Sequence, residues 1–209
     1  MEVNLKIAWS ASHQEFIISD YYYFGWFDKK LREKGIVIDE VDEFERLENY
    51  DVIVFNYPEI WFSDEEKNMI DKWLNYGKKI MFLAYYKNED RVAELINDVV
   101  AKYGLKFNYD HVKDDKSNWQ GDPYYVVTSE LREYSEGVSK ICFPCTASIE
   151  LSDGYVIAKT EDERVIAAGK KVGKGLLEIY GTCVFWDSFS AKILDNFQFS
   201  CNILTQRAK

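Results

Sequence analysis

Imidazole and thiol chemistry in this chain of 209 residues rests on two histidines and four cysteines. His13 follows Ser10 and Ser12 in a polar turn, where an imidazole can donate, accept or titrate near neutrality. Cys183 becomes a nucleophile only with a base in hydrogen-bond reach, and His13 and Lys87 are the candidates. The competing reading is structural: a small thiol after a strand packs as an apolar group, while His13 and Asn56 hydrogen-bond neighbouring loops and hold the sheet edge together. Cys142-Phe-Pro-Cys145 has the spacing of a redox couple, half a zinc site or a local disulfide. Its flanks, Gly137-Val-Ser-Lys-Ile141 and Thr146-Ala-Ser-Ile-Glu-Leu151, read as strand, whereas a redox pair needs a helix N-terminus to lower its thiol pKa. Cys183 and Cys201 lack the close spacing of a second zinc half-site. The expectation is therefore buried thiols or one structural disulfide, with no metal and no cofactor.

The elements that position these groups centre on a strand, a helix and a strand. Residues 51–56 and 79–85 are near-continuous apolar runs, the pattern of parallel strands buried on both faces. Between them Ser63 is an N-cap, Glu66 closes a capping box, Met69, Ile70, Trp73 and Leu74 form one apolar face, and Gly77 ends the helix. Upstream, the patterns predict a strand over 4–10, a helix over 20–34 carrying Phe24, Phe27 and Leu31, a strand over 36–39 and a short helix over 44–49. Downstream, Val92, Leu95, Ile96, Val99, Val100 and Tyr103 predict a helix over 89–103, capped by Asn88 and Gly104.

This alternation predicts an α/β fold, a three-layer sandwich with a mostly parallel doubly wound sheet. Past Gly104 the rhythm changes. Residues 106–123 read as a polar loop, and short β segments follow at 124–128, 138–143, 146–151, 155–159 and 164–169, with Ser152-Asp-Gly154 as a hairpin turn. These are expected to build a C-terminal antiparallel β extension on the sheet. Gly173-Lys-Gly175 precedes a strand, so it is a turn rather than a phosphate loop. A last strand over 176–180 and a helix over 191–205, with Leu194, Phe197, Cys201 and Leu204 inward, complete a single domain spanning 1–209. Its α/β core is 1–104 and 175–209, and 105–174 is a β-rich excursion.

Composition narrows the function classes. A 47% hydrophobic content supports a proper core, and a net charge of -10 repels nucleic-acid backbones and anionic lipid surfaces. No apolar run approaches the roughly 20 residues of a membrane span, and Met1-Glu-Val-Asn-Leu-Lys6 lacks the basic start and apolar core of a leader, so a cytoplasmic protein is expected. The acidic clusters at 39–48 and 64–66 read as solvated faces and caps. Aromatic residues reach 16%, including Tyr21-Tyr-Tyr-Phe-Gly-Trp26, Trp61, Trp119 and Trp186; their faces can line a sugar or peptide groove or the interface of a homodimer.

The order of elements also carries a resemblance. A strand ending near a His, Tyr50-Asp51-Val-Ile-Val closing in Asn56, the Ser63-Asp-Glu-Glu66 helix through Tyr76-Gly77, Gly173-Lys-Gly175 before Gly181 and the Asp195-Asn196 helix together resemble the class I glutamine amidotransferase-like superfamily. The resemblance is to a divergent branch. It implies a flavodoxin-like sandwich with any site at the carboxyl edge of the sheet. It implies no amidotransferase chemistry, because the elbow that carries the catalytic cysteine in active members reads Ala84-Tyr85-Tyr86-Lys87-Asn88 here.

In open α/β sheets ligands sit beyond the carboxyl ends of the strands. The sequence places Ser10, His13, Asn56, Glu59, Tyr85, Lys87, Thr182 and Cys183 there. The expected function is a non-catalytic module that binds a small molecule or a protein at this edge. The alternative is a hydrolase of a small or sugar-derived substrate that uses His13 with Cys183 or a carboxylate.

Overall fold

The computed structural model describes residues 5–208, so Met1 to Asn4, including the start of the expected first strand, lie outside the described residues. In chain order the elements are β1 (Ile7–Ser10), α1 (Tyr21–Glu33), β2 (Ile38–Val41), β3 (Val52–Asn56), α2 (Asp64–Tyr76), β4 (Lys79–Leu83), α3 (Val92–Val100), β5 (Leu105–Phe107), β6 (Asn118–Trp119), β7 (Asp122–Thr128), β8 (Ile141–Pro144), β9 (Ile149–Leu151), β10 (Tyr155–Lys159), β11 (Val165–Val172), β12 (Gly175–Tyr180) and α4 (Asn196–Thr205). Short 3-10 turns lie at Phe44–Asn49, Tyr86–Arg91 and Ala101–Tyr103.

The main sheet has the order β10-β11-β12-β4-β3-β1-β2. Its pairs are parallel from β12 through β4, β3 and β1 to β2, and β10 and β11 add antiparallel strands at one edge. The chain steps one way from β1 to β2 and the other way from β3 to β4. Right-handed crossovers therefore put α1 and α2 on opposite faces. Ring contacts agree: Trp9 meets Phe24 of α1, and Trp26 and Phe27 of α1 meet Phe197 of α4. On the other face Phe55 meets Phe62 just before α2, and ion pairs from Lys67 to Asp98 and from Lys102 to Asp71 tie α3 and the turn after it to α2. The result is the expected three-layer α/β sandwich.

Burial explains the strand composition. Every residue of β1, β3, β4 and β12 is buried, which favours the Val, Ile, Leu and Phe runs found there. The capping box forms as expected: Ser63 N donates to Glu66 Oε2 at 2.7 Å, and Glu66 N donates to Ser63 Oγ at 3.2 Å. Gly77 closes α2 at φ 107°, a left-handed conformation that costs glycine nothing. At the start of α1, Asp20 accepts from the backbone of Tyr22 and Tyr23.

Several boundaries differ from the sequence expectations. The helix expected over 89–103 begins at Val92, because Lys87, Asn88, Asp90 and Arg91 hold positive φ and Glu89 is extended. Asn88 still caps it, reaching forward so that its Oδ1 accepts from Glu94 N at 2.9 Å. The polar stretch over 106–123 contains the end of β5, all of β6 and the start of β7. Ser152-Asp-Gly154 is not a hairpin: β9 pairs with β5 and β10 pairs with β11, so the turn passes the chain between two sheets. Only β10 and β11 extend the main sheet; β6, β7 and β8 form a separate three-stranded sheet. The last helix starts at Asn196 rather than 191. Ahead of it Asp187 accepts the N–H groups of Phe189 and Ser190, and Asn196 stitches Cys142, Phe185 and Ser190 together through its amide. Leu194, expected inward, is 40% exposed at φ 48°.

Two charged side chains sit inside this apolar frame. Lys79 is 1% exposed and Glu178 fully buried, with Lys79 Nζ 3.1 Å from Glu178 Oε2. Tyr134, Tyr155 and Tyr180 donate their hydroxyls to the same carboxylate, and Lys79 donates to the carbonyl of Ile203 in α4 at 2.6 Å. This network pins the last helix to the sheet.

Candidate functional site

The chain's strand order reverses between β1 and β3, which is where doubly wound sheets bind ligands. A cavity of about 350 Å³ opens at that edge. The loop after β1 supplies Phe16, the residue after β3 is Tyr57, the turn after β4 supplies Tyr85, Glu89 and Asp90, and the loop after β12 supplies Val184 and Asp187. Tyr23 and Phe24 of α1 complete the wall.

Aromatic contacts set the shape. Phe16 and Tyr57 stack face to face, with centroids 4.6 Å apart and planes 5° apart, and Tyr85 stands edge-on to Tyr57 at 6.2 Å. Tyr57 is held at φ 66°, a conformation that costs a bulky residue energy and is kept by its surroundings. Its N–H donates to Leu83 O at 3.1 Å and its hydroxyl to Asp90 Oδ2 at 2.9 Å. Asp187 is 6% exposed; burial pushes its carboxyl above its ordinary range, and the N–H groups of Ser190 and Phe189 oppose that shift.

The candidate residues read from sequence divide into three groups. Tyr85 lines the cavity. Ser10, His13, Asn56, Thr182 and Cys183 are buried and serve packing and loop contacts in this structure. Ser10 Oγ lies 2.9 Å from Ser12 Oγ, Thr182 donates to Pro144 O at 2.6 Å, and Asn56 Oδ1 accepts from Trp186 Nε1 at 3.3 Å. Glu59 and Lys87 are exposed; the N–H of Glu59 donates to His13 O, and that of Lys87 to Asp110 O. Burial drives the Cys183 thiol well above its ordinary pKa, and among the described residues no hydrogen bond joins it to His13. All four cysteines are free. The cavity residues that sequence reasoning missed are Phe16, Tyr57, Glu89, Asp90, Val184 and Asp187; the signal was their place just past each strand end. Tyr23 and Phe24 belong to the aromatic run already singled out.

His13 works as a clasp between loops. Its ring stacks on Phe62 with centroids 4.0 Å apart, Nδ1 lies 2.8 Å from Ser12 Oγ, and Nε2 lies 3.5 Å from Glu66 Oε1. Burial lowers its pKa below the ordinary 6.5, with Glu66 partly opposing. The unfolded chain then binds the proton more tightly, so the contribution of His13 is fully present above pH 6.5 and is lost as pH falls through the folded value. Burial and Lys87 shift His111 in the same direction. Between pH 7.5 and pH 5 His13 is therefore expected to pull the melting temperature down in wild type and not in His13→Gln, while the raised carboxyls of Glu15 and Asp187 act in the opposite sense in both proteins. An unchanged slope in that variant contradicts the assignment.

Comparison with known proteins places the chain among others. It is 40% identical to an uncharacterized protein of Aquifex aeolicus (strain VF5), over 97% of this chain and 94% of that protein. No family model matches. Among solved structures, the mmIFT52 N-terminal domain superposes with a TM-score of 0.81 at 19% identity, covering 95% of each chain. The cytoplasmic protein STM3548 of Salmonella typhimurium matches with a TM-score of 0.58 at 13% identity, over 96% of this chain and 98% of that one. An exo-beta-1,4-mannosidase of Opitutaceae bacterium strain TAV5 also matches, at a TM-score of 0.58 and 10% identity, but the chain spans only 36% of it. At these identities the likeness is one of fold. These matches correct the expected kinship with class I glutamine amidotransferases, since the structures matched over most of both chains include an IFT52 domain and two Salmonella cytoplasmic proteins. The element order that suggested the kinship belongs to doubly wound sheets in general. Among the described residues no helix is long and apolar enough to cross a membrane.

Proposed function

We propose that this chain, which belongs to one family with the uncharacterized protein of Aquifex aeolicus, is a non-catalytic module that binds a small molecule or a protein segment in the aromatic cavity at the carboxyl edge of its sheet. The observation that carries this reading is the lining itself: five aromatic rings and three carboxylates, with no thiol, imidazole or amine among them. Its volume of about 350 Å³ falls in the roughly 300–1,000 Å³ range of small-molecule sites. The hydrolase reading asks His13 to act with Cys183 or a carboxylate; the thiol is buried with a raised pKa, and the carboxylate beside His13 is Glu66, 3.5 Å from Nε2, with neither His13 nor Glu66 lining the cavity.

A thermal-shift screen of nucleotides, sugars, amino acids and amines tests the proposal on wild type and Tyr85→Ala. A compound at 100 times its dissociation constant contributes roughly 2.7 kcal/mol, which raises the midpoint of a domain this size by about 5–10 °C. The expected result is such a shift in wild type, lost in the variant, with the compound recovered unchanged. A shift that Tyr85→Ala leaves intact, or turnover that His13→Gln abolishes, contradicts it.

A further inference from the structure

We infer that the cavity takes an organic cation, an alkylated ammonium head held against aromatic faces; this rests on the binding reading above and names its ligand class. Phe16, Tyr57 and Tyr85 line the space; Phe16 and Tyr57 cover one face of each other, and a ring face left open attracts a cation through its quadrupole. Glu89, Asp90 and Asp187 add three carboxylates, and no Lys, Arg or His lines the space. Among the described residues none of the three takes part in an ion pair. Two cations neighbour the lining in sequence: Arg91 pairs with Glu94 at 2.9 Å, and Lys87 Nζ lies 5.9 Å from the Tyr86 ring centroid.

Each class of ligand meets this lining differently. An anion is repelled by three carboxylates and by the chain's net charge of -10. A neutral ligand that fills the cavity strips water from the carboxylates and at best returns hydrogen bonds, leaving their charge uncompensated. A small metal ion needs several oxygen ligands converging on one point, and among the described residues no three metal-ligating side chains gather. An alkylammonium head is large enough to touch the rings, carries its charge on methyl groups that tolerate an apolar wall, and pairs with the carboxylates.

The head group can belong to a free small molecule or to a methylated lysine of a peptide, and a titration separates the two. Isothermal calorimetry on the full chain compares choline, its uncharged isostere 3,3-dimethyl-1-butanol, and a short peptide carrying trimethyllysine. The account expects choline to bind on the order of tenfold more tightly than the isostere, and Phe16→Leu and Asp187→Asn each to weaken it by a similar factor. Phe16 is 41% exposed, so its replacement removes a ring face at little risk to folding. Tighter binding of the peptide than of choline assigns the peptide source, and equal or weaker binding assigns the free cation. Equal affinity for choline and the isostere, or unchanged choline affinity in both variants, overturns the inference. If every ammonium compound fails while another compound gives a shift that Tyr85→Ala removes, the cation class falls and the binding module stands; if no compound of any class binds, both fall.

Discussion

Glu178→Ala is expected to lower the unfolding free energy by about 3–5 kcal/mol, the cost of breaking a buried charge pair. The change leaves Lys79, 1% exposed, without its anion and removes the acceptor of three tyrosine hydroxyls. Against a total stability of about 5–15 kcal/mol, a loss of that size threatens the fold itself. Lys79→Met is expected to cost less, because Glu178 then keeps Tyr134, Tyr155 and Tyr180 as donors. The double variant Lys79→Met with Glu178→Ala is expected to lose less than the sum of its parts, because neither charge is left alone in the core. Urea denaturation of the four proteins checks this cycle; simple additivity contradicts the coupling.

Trp186→Ala is the second large effect, expected at about 3–5 kcal/mol for the loss of a fully buried indole. The ring packs on Trp9 at 4.9 Å, Phe185 at 4.8 Å and Phe27 at 5.8 Å, joining the sheet to α1. Its Nε1 donates to Cys183 O at 3.1 Å and to Asn56 Oδ1 at 3.3 Å, so truncation also strands two acceptors beneath the cavity floor. Among the described residues Asn56 Nδ2 already has no partner, which makes that site sensitive to a further loss. Trp186→Phe is expected to keep most of the packing and to cost about 1–3 kcal/mol through the unpaired acceptors. Chemical denaturation separates the two substitutions, and equal losses would show that the indole N–H contributes nothing.

The parts of the fold written in local pattern were legible. Ser63 and Glu66 stand three residues apart before an apolar stripe, and the apolar runs of β3 and β4 leave no exposed face to a strand, so both readings followed from spacing alone. What depends on distant partners was not. Lys79 and Glu178 meet across neighbouring strands β4 and β12, nearly a hundred residues apart in the chain, and neither has a local signal of the other. Asn196 delays α4 by bonding Cys142 and Phe185, and positive φ at Lys87, Asn88, Asp90 and Arg91 shortens α3 although none of them is glycine. The site followed the same division. The carboxyl edge was readable from topology, but Phe16, Tyr57 and Asp187 converge only through three separate loops, whereas the polar residues buried under the edge, Ser10, His13 and Asn56, lie at or near single strand ends.

The central claim, that this cavity is the binding site, is tested most directly by protein-observed NMR with a chemically mixed fragment library. Amide perturbations from the strongest fragments are expected to gather at Phe16, Tyr57, Tyr85 and Val184 to Asp187. Perturbations gathered instead along the charged groove of α1 around Asp28, Lys29 and Arg32, or fragments that leave the cavity amides unmoved, would contradict it.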